Sequence, residues 1–354
     1  MTKASEPTNY RQYVARKWIV MAITLGLVIL SALWSISAGS AGLSVSDILY
    51  ALFHRGSGQH ATIIWNVRLP RVCTALVIGC GLAVSGCVMQ NVLRNPMASA
   101  STLGVSQGAC FGAAVAIVFF DGGVQVGNTT ANFSVTNSST VSALAFCGGM
   151  ITTMVILTLS RGRRSSPTTM VLAGVAMSSI FSGLTTLIQY FADDVKTASL
   201  IYWTFGSLNK ATWTQIGLMA AVTLAALLYF YHNRLQFNAM EAGLATAKSL
   251  GVPVDFLTLS SMILCALVAS ISVAFAGSIG FIGLIAPHIM RRFVGNDYRF
   301  LLPGSALGGA VLLLLADVAS RSILPPTVLP IGALTSFLGA PMFLYLCLKK
   351  GART

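Results

Sequence analysis

The chain has 354 residues, of which 55% are hydrophobic and 9% charged, with a formal net charge of +13. An ordinary soluble domain carries roughly 25% charged residues, so this composition excludes a water-solvated globule and indicates an all-α polytopic membrane protein. The surplus of Lys and Arg does not make a nucleic-acid binder: it is scattered through short loops, with no basic helix face and no aromatic platform on which bases could stack.

A hydrocarbon core about 30 Å thick takes about 20 apolar residues per helix. Segments of that kind are expected at 18–38, 70–92, 101–120, 141–160, 167–190, 212–232, 254–276, 278–292, 301–320 and 330–348, ten spans in all. The first is long enough to cross and lacks a small-residue cleavage site, so it is expected to remain as a helix and not to leave as a signal peptide. The eighth is short, contains Pro287 and follows the seventh almost directly, so it needs enclosure by its neighbours. The polar stretch 122–140 is free of Lys and Arg and reads as an external loop, in which the sequons at Asn128, Asn132 and Asn137 are incidental in a prokaryotic host. Residues 234–253 are amphipathic and too polar to span, and read as cytoplasmic helical structure. The domain plan is therefore a cytoplasmic segment 1–17, one transmembrane domain 18–350 that includes 234–253, and a cytoplasmic tail 351–354.

Loops on the cytoplasmic side carry the excess of Lys and Arg. With both termini inside, 16 basic residues fall inside and six outside, which accounts for all 22 and favours a multi-pass protein of the cell (inner) membrane in that orientation. The six are Arg55, Arg68, Arg71, Lys196, Lys210 and Arg321.

Small residues at four-residue spacing let helix backbones approach. Gly104, Gly108 and Gly112 in the third span and Gly304 with Gly308 in the ninth are the expected contact points. The seven cysteines are an odd number, lie in apolar segments and lack metal-ligand spacing. Cys73, Cys80 and Cys87 share a helix face but are too far apart to bridge.

Six stretches, in order, resemble the FecCD family of permeases, which serve importers of ferric siderophores, haem and vitamin B12. They are RLPR from Arg68, GCVMQNVLRNPMASASTLGVSQGA from Gly86, EAGLATAKSLGV from Glu241, GSIGFIGLIAPHIMRR from Gly277, LLPGSALGGAVLLLLADVASR from Leu301 and LPIGALTSFLGAPMFLYLCLKK from Leu329. Met97 and Ala100 depart from the Leu and Pro common there, and the 122–140 loop is longer than usual. The resemblance implies a type II ABC importer permease. Such a subunit pairs with a second copy or a close relative, with two ATP-binding cassette ATPases inside and a substrate-binding protein outside. The chain has no G-x-x-x-x-G-K-[ST] loop, so ATP and Mg belong to a separate ATPase, with no cofactor or metal in this chain.

On this reading Arg68, Arg71 and Arg321 grip carboxylates of the incoming binding protein, the bland alternative being cations that snorkel at the membrane surface. Asp317 and Arg321, four apart, are expected to form a local ion pair. Asn95 and Met97 flank Pro96, which breaks the second span, and match the family's inner gate. Glu241, Ala242, Leu244, Ala245, Leu250 and Gly251 match its ATPase-coupling segment. Ser178, Ser179, Ser182 and Thr185 have spacing compatible with lining a pathway, although Ser and Thr also pack helices. His288, and likewise His54 with His60, lack ligand-spaced partners and read as non-metal residues. The expected cargo is a ferric siderophore, then haem or cobalamin. A secondary transporter is disfavoured because Asp317 is the main carboxylate inside a span, and an enzyme because no catalytic constellation is present.

Overall fold

The computed structural model describes residues 10–38, 59–120, 125–126, 133–134, 138–160, 167–325 and 327–351. The sequon residues Asn128, Asn132 and Asn137, His54 and the outermost parts of both tails lie outside the described residues. The helices are α1 (Tyr10–Ser37), α2 (Gln59–Ile63), a π-helical stretch (Ile64–Arg68), α3 (Leu69–Val92), α4 (Val105–Phe119), α5 (Ser138–Ser160), α6 (Pro167–Phe191) and α7 (Asp194–Thr204). They continue with α8 (Trp213–His232), α9 (Arg234–Ala242), α10 (Leu244–Ser249), α11 (Val254–Ala276), α12 (Ile282–Val294), α13 (Tyr298–Ser322) and α14 (Ile331–Gly351). Between α4 and α5, β1 (Gln125–Val126) pairs antiparallel with β2 (Phe133–Ser134).

Each of the ten expected spans coincides with a helix. Among the described residues seven are long and apolar enough to cross a bilayer; α4 and α14 contribute shorter apolar stretches, and α12 has 13 residues. At 1.5 Å per residue α12 is about 20 Å long, too short to span alone. It is tolerated because Ile282–Pro287 and Met290 are buried against α3 and α13. The third span becomes helical only at Val105, since residues 93–104 form turns, and α1 already begins at Tyr10. Helix α7 lies between the fifth and sixth expected spans, and its Leu200 and Trp203 pack into an apolar cluster with α4, α5 and α11.

Helix α3 is the centre of the bundle, packed on α13, α12, α11 and α8. Its glycines set the distances. A Cβ on Gly79 would lie 2.5 Å from Gly309 O, and one on Gly86 only 1.8 Å from Gly283 O. Gly108 and Gly112 bring α4 onto α5 at similar range, as their spacing implied, whereas Gly304 and Gly308 meet the flexible Met290 side chain and no backbone. The close contact on α13 is made by Gly309 instead.

Gly86→Ala is expected to cost at least the 1–3 kcal/mol typical of an overpacked site, because the obstacle is backbone and cannot turn aside. Gly217→Ala, which meets open space, should be close to neutral. Thermal unfolding of both variants in detergent checks the contrast.

Candidate functional site

The two ends of α3 carry separate polar clusters. At the first end, Pro70 has no N–H to donate, and the ladder before it slips into the π-helical register, with Leu69 N–H reaching Ile64 O. Arg71 then faces α13. Asp317 is fully buried and divides its carboxylate between helices. Oδ1 accepts from Arg71 Nε at 2.6 Å, and Oδ2 accepts from Arg321 Nη2 at 2.6 Å and Ser35 Oγ at 3.0 Å. The Asp317–Arg321 pair forms within one helical turn, as its spacing implied.

The last carbonyls of α1 lack intrahelical donors. Arg321 donates to that of Ser35 and to Ala38 O just past the helix, and Arg68 to those of Ile36 and Ser37. Positive charge at a helix C-terminus also complements its dipole. Arg68 and Arg71 are each only 6% exposed. The guanidinium groups of these two turn inward, because Asp317 and the end of α1 need donors. Three arginines against one carboxylate still leave a surplus of two positive charges in the cluster.

At the opposite end, α9 is fastened to α3 and α13. Asn91 Nδ2 donates to Glu241 Oε2 at 3.0 Å and to Phe237 O at 3.2 Å, while Asn296 Nδ2 donates to Glu241 Oε1 at 2.9 Å. Asn238 donates to Asp297 Oδ1 and accepts the Tyr298 N–H, and Lys17 Nζ lies 3.9 Å from Asp297. Of the six expected coupling residues, Glu241, Ala242, Ala245, Leu250 and Gly251 are exposed and Leu244 is half-buried. The sharp step between α9 and α10 depends on Gly243, at φ +138°. Sequence reasoning missed Asn91, Asn238, Asn296 and Asp297. The signal was there for Asn91, an amide inside an apolar span.

Helix α3 ends three residues before Asn95. Arg94 adopts a left-handed conformation at φ 45°, its N–H reaching Asn91 O, and Asn95 N–H reaches Gln90 O at 3.1 Å. This is a Schellman closure made with arginine where glycine is usual. Asn95 Oδ1 then accepts the Met97 N–H at 2.9 Å, and Met97 is 40% exposed. Thr102 and Ser99 bond each other's backbone and close the turn, and Leu103 and Gly104 wedge against Gly174 of α6. The four hydroxyl residues on α6 divide. Ser178 and Thr185 lie on its packed side and donate to Gly174 O and Phe181 O, while Ser179 and Ser182 are exposed. They do not form one lining face, since the strip Gly174–Ser178–Phe181–Thr185 is taken up by packing. Among the described residues no group of three His, Cys, Asp or Glu side chains comes together that could hold a metal ion.

Asp317→Ala strands Arg71 beside a vacant partner and is expected to destabilise the fold by about 3–5 kcal/mol, read by thermal unfolding in detergent; an unchanged melting point would mean the cluster is not structural. At the other end, a double-mutant cycle on Asn91→Ala and Glu241→Ala should give a coupling of about 0.5–3 kcal/mol. Additive effects would show that α9 is not tied to α3.

The FecCD transport family matches residues 27–349. An ABC transporter permease protein of Methanocaldococcus jannaschii is 49% identical over 97% of this chain and 98% of its own. The hemin transport system permease protein HmuU of Yersinia pestis is 35% identical over 94% of this chain and 96% of its own. The vitamin B12 import system permease protein BtuC of Salmonella newport is 37% identical over 94% and 95%. A solved metal-chelate type ABC transporter in an inward-facing conformation superposes with a TM-score of 0.78 at 30% identity, over 94% of this chain and 99% of that one. The fold, the uninterrupted coverage and the identity converge: the chain belongs to the FecCD family and is a membrane-spanning ABC transporter permease, a transport subunit and not an enzyme.

Proposed function

We propose that this chain forms half of the pathway of an importer for a metal chelate, beside a second copy of itself or a close relative. Two separate ATP-binding cassette subunits act at the Glu241 end and a substrate-binding protein docks at the Asp317 end. Both termini are cytoplasmic, as the excess of Lys and Arg at the Glu241 end favours. The observation that carries this reading is the fastening of α9. A remote ATPase can move a pore only through a part that both contact, and Glu241 ties the exposed α9–α10 step to Asn91, at the root of the Asn95–Met97 turn.

The assigned roles are coupling for Glu241, Ala242, Leu244, Ala245, Leu250 and Gly251, and the inner gate for Asn95 and Met97. On α6, the exposed Ser179 and Ser182 line the pathway. A ferric siderophore is the favoured cargo, with haem or cobalamin second. The hemin and vitamin B12 permeases are 35% and 37% identical to this chain, so identity does not choose among them. In docking, the surplus charge around Asp317 faces acidic groups of the binding protein through Arg321, the least buried of the three arginines.

Reconstituted with its ATPase, Glu241→Ala is expected to reduce ATP-driven uptake about tenfold or more while ATP hydrolysis continues, and unchanged uptake would end the coupling assignment. Binding-protein affinity should fall severalfold between low salt and physiological ionic strength, where exposed charges are screened over about 8 Å. Arg321→Gln should flatten that salt dependence. A dependence equally steep in the variant would remove Arg321 from the docking surface.

A further inference from the structure

We propose that the groove between α1, α12 and α13 is a binding site for one anionic phospholipid, with an acyl chain along the groove and the headgroup phosphate at Arg16 and Arg292. The groove encloses about 260 Å³ on the outside of the bundle. Its walls are Val20, Ile23 and Leu27 of α1, Ile289 and Phe293 of α12, and Val311 of α13, and each helix contributes residues three and four apart. Gly308 leaves its floor open, since a Cβ there would already come within 3.2 Å of Met290. The absence of a backbone contact at Gly308 thus has a counterpart in space.

The lining rejects polar ligands. Its hydroxyl, on Thr24, is spent on Val20 O at 2.8 Å. Ile23 and Phe293 are 59% and 57% exposed, so the groove opens sideways toward the hydrocarbon that surrounds these helices. From Ala286 to Phe293 it runs about 10 Å along α12, a length that suits part of an acyl chain.

Charge marks one end. Arg16 lies one turn before Val20 on the same side of α1, and Arg292 lies one turn beyond Ile289 on α12, and both are exposed. The neighbouring cation Lys17 turns to Asp297 and to the rings of Tyr13 and Phe300. Asp297 in turn faces Lys17 and Asn238, so it does not oppose an anion at Arg16. Basic side chains above an apolar slot between membrane helices recognise anionic lipid headgroups.

The inference rests on α1, α12 and α13 lying in a membrane and not on the cargo or the direction of transport. The test is native mass spectrometry of the full chain released from nanodiscs of equal parts phosphatidylglycerol and phosphatidylethanolamine. One phosphatidylglycerol per chain is expected to remain, in preference to phosphatidylethanolamine. Each basic residue near the surface is worth about fivefold, so Arg16→Gln with Arg292→Gln should reduce retention about 25-fold. Ile23→Trp, at an exposed position, should displace the lipid with both arginines intact and with helicity by circular dichroism unchanged. Equal retention of the two lipids, or undiminished phosphatidylglycerol in the double variant, would overturn the site. So would Ile23→Cys chains that cross-link to one another with no lipid bound, since the groove would then hold a second copy.

Discussion

The structure depends on how closely α3 is held by its neighbours. In hydrocarbon there is no hydrophobic drive to bring helices together, so contact must come from close packing and hydrogen bonds. Gly79 against Gly309 and Gly86 against Gly283 let α3 meet α13 and α12 at backbone range. A helix of 24 residues, about 36 Å long, is thereby held as a rod through the middle of the bundle. The short α12 is possible only because this rod covers one of its sides.

Each end of the rod is then fixed by groups too polar for the bilayer interior. Arg71 binds the carboxylate that α13 offers, and Asn91 binds the carboxylate that α9 offers. The two locks differ in burial. Asp317 is sealed away and paired twice, whereas Glu241 is exposed and held by two neutral amides. A charge pair in low dielectric is costly to part; a carboxylate held by amides beside water is much easier to release. The joint that is costlier to part and the one that is easier to release thus occur on the same helix, with the Asn95–Met97 turn directly beyond the second.

Much of this was legible in the amino-acid order. The ten helices follow from runs of apolar residues, and the Asp317–Arg321 pair and the Gly108–Gly112 contact follow from helical spacing, a local property of one chain segment. The misses share a cause. Helix α7 was overlooked because 11 residues of mixed polarity are stabilised by Leu200 and Trp203 entering a cluster built from three other helices. Gly309 was passed over for Gly304 and Gly308, since spacing gives a repeat but not the direction from which a neighbour arrives. The division of Ser178 and Thr185 from Ser179 and Ser182 likewise needed the position of α4.

By itself, then, the sequence determined the solvent of the protein, the number and order of its ten apolar helices, and the family to which it belongs. Each of these is carried by composition or by residues near one another along the chain. Only the tertiary structure decided which partner each polar residue takes. Arg71 and Asp317 are 246 positions apart, and Asn91 and Glu241 are 150 apart. No periodicity reaches across such distances, and a buried ion or amide is satisfied by whatever the packing of separate helices brings within hydrogen-bonding range.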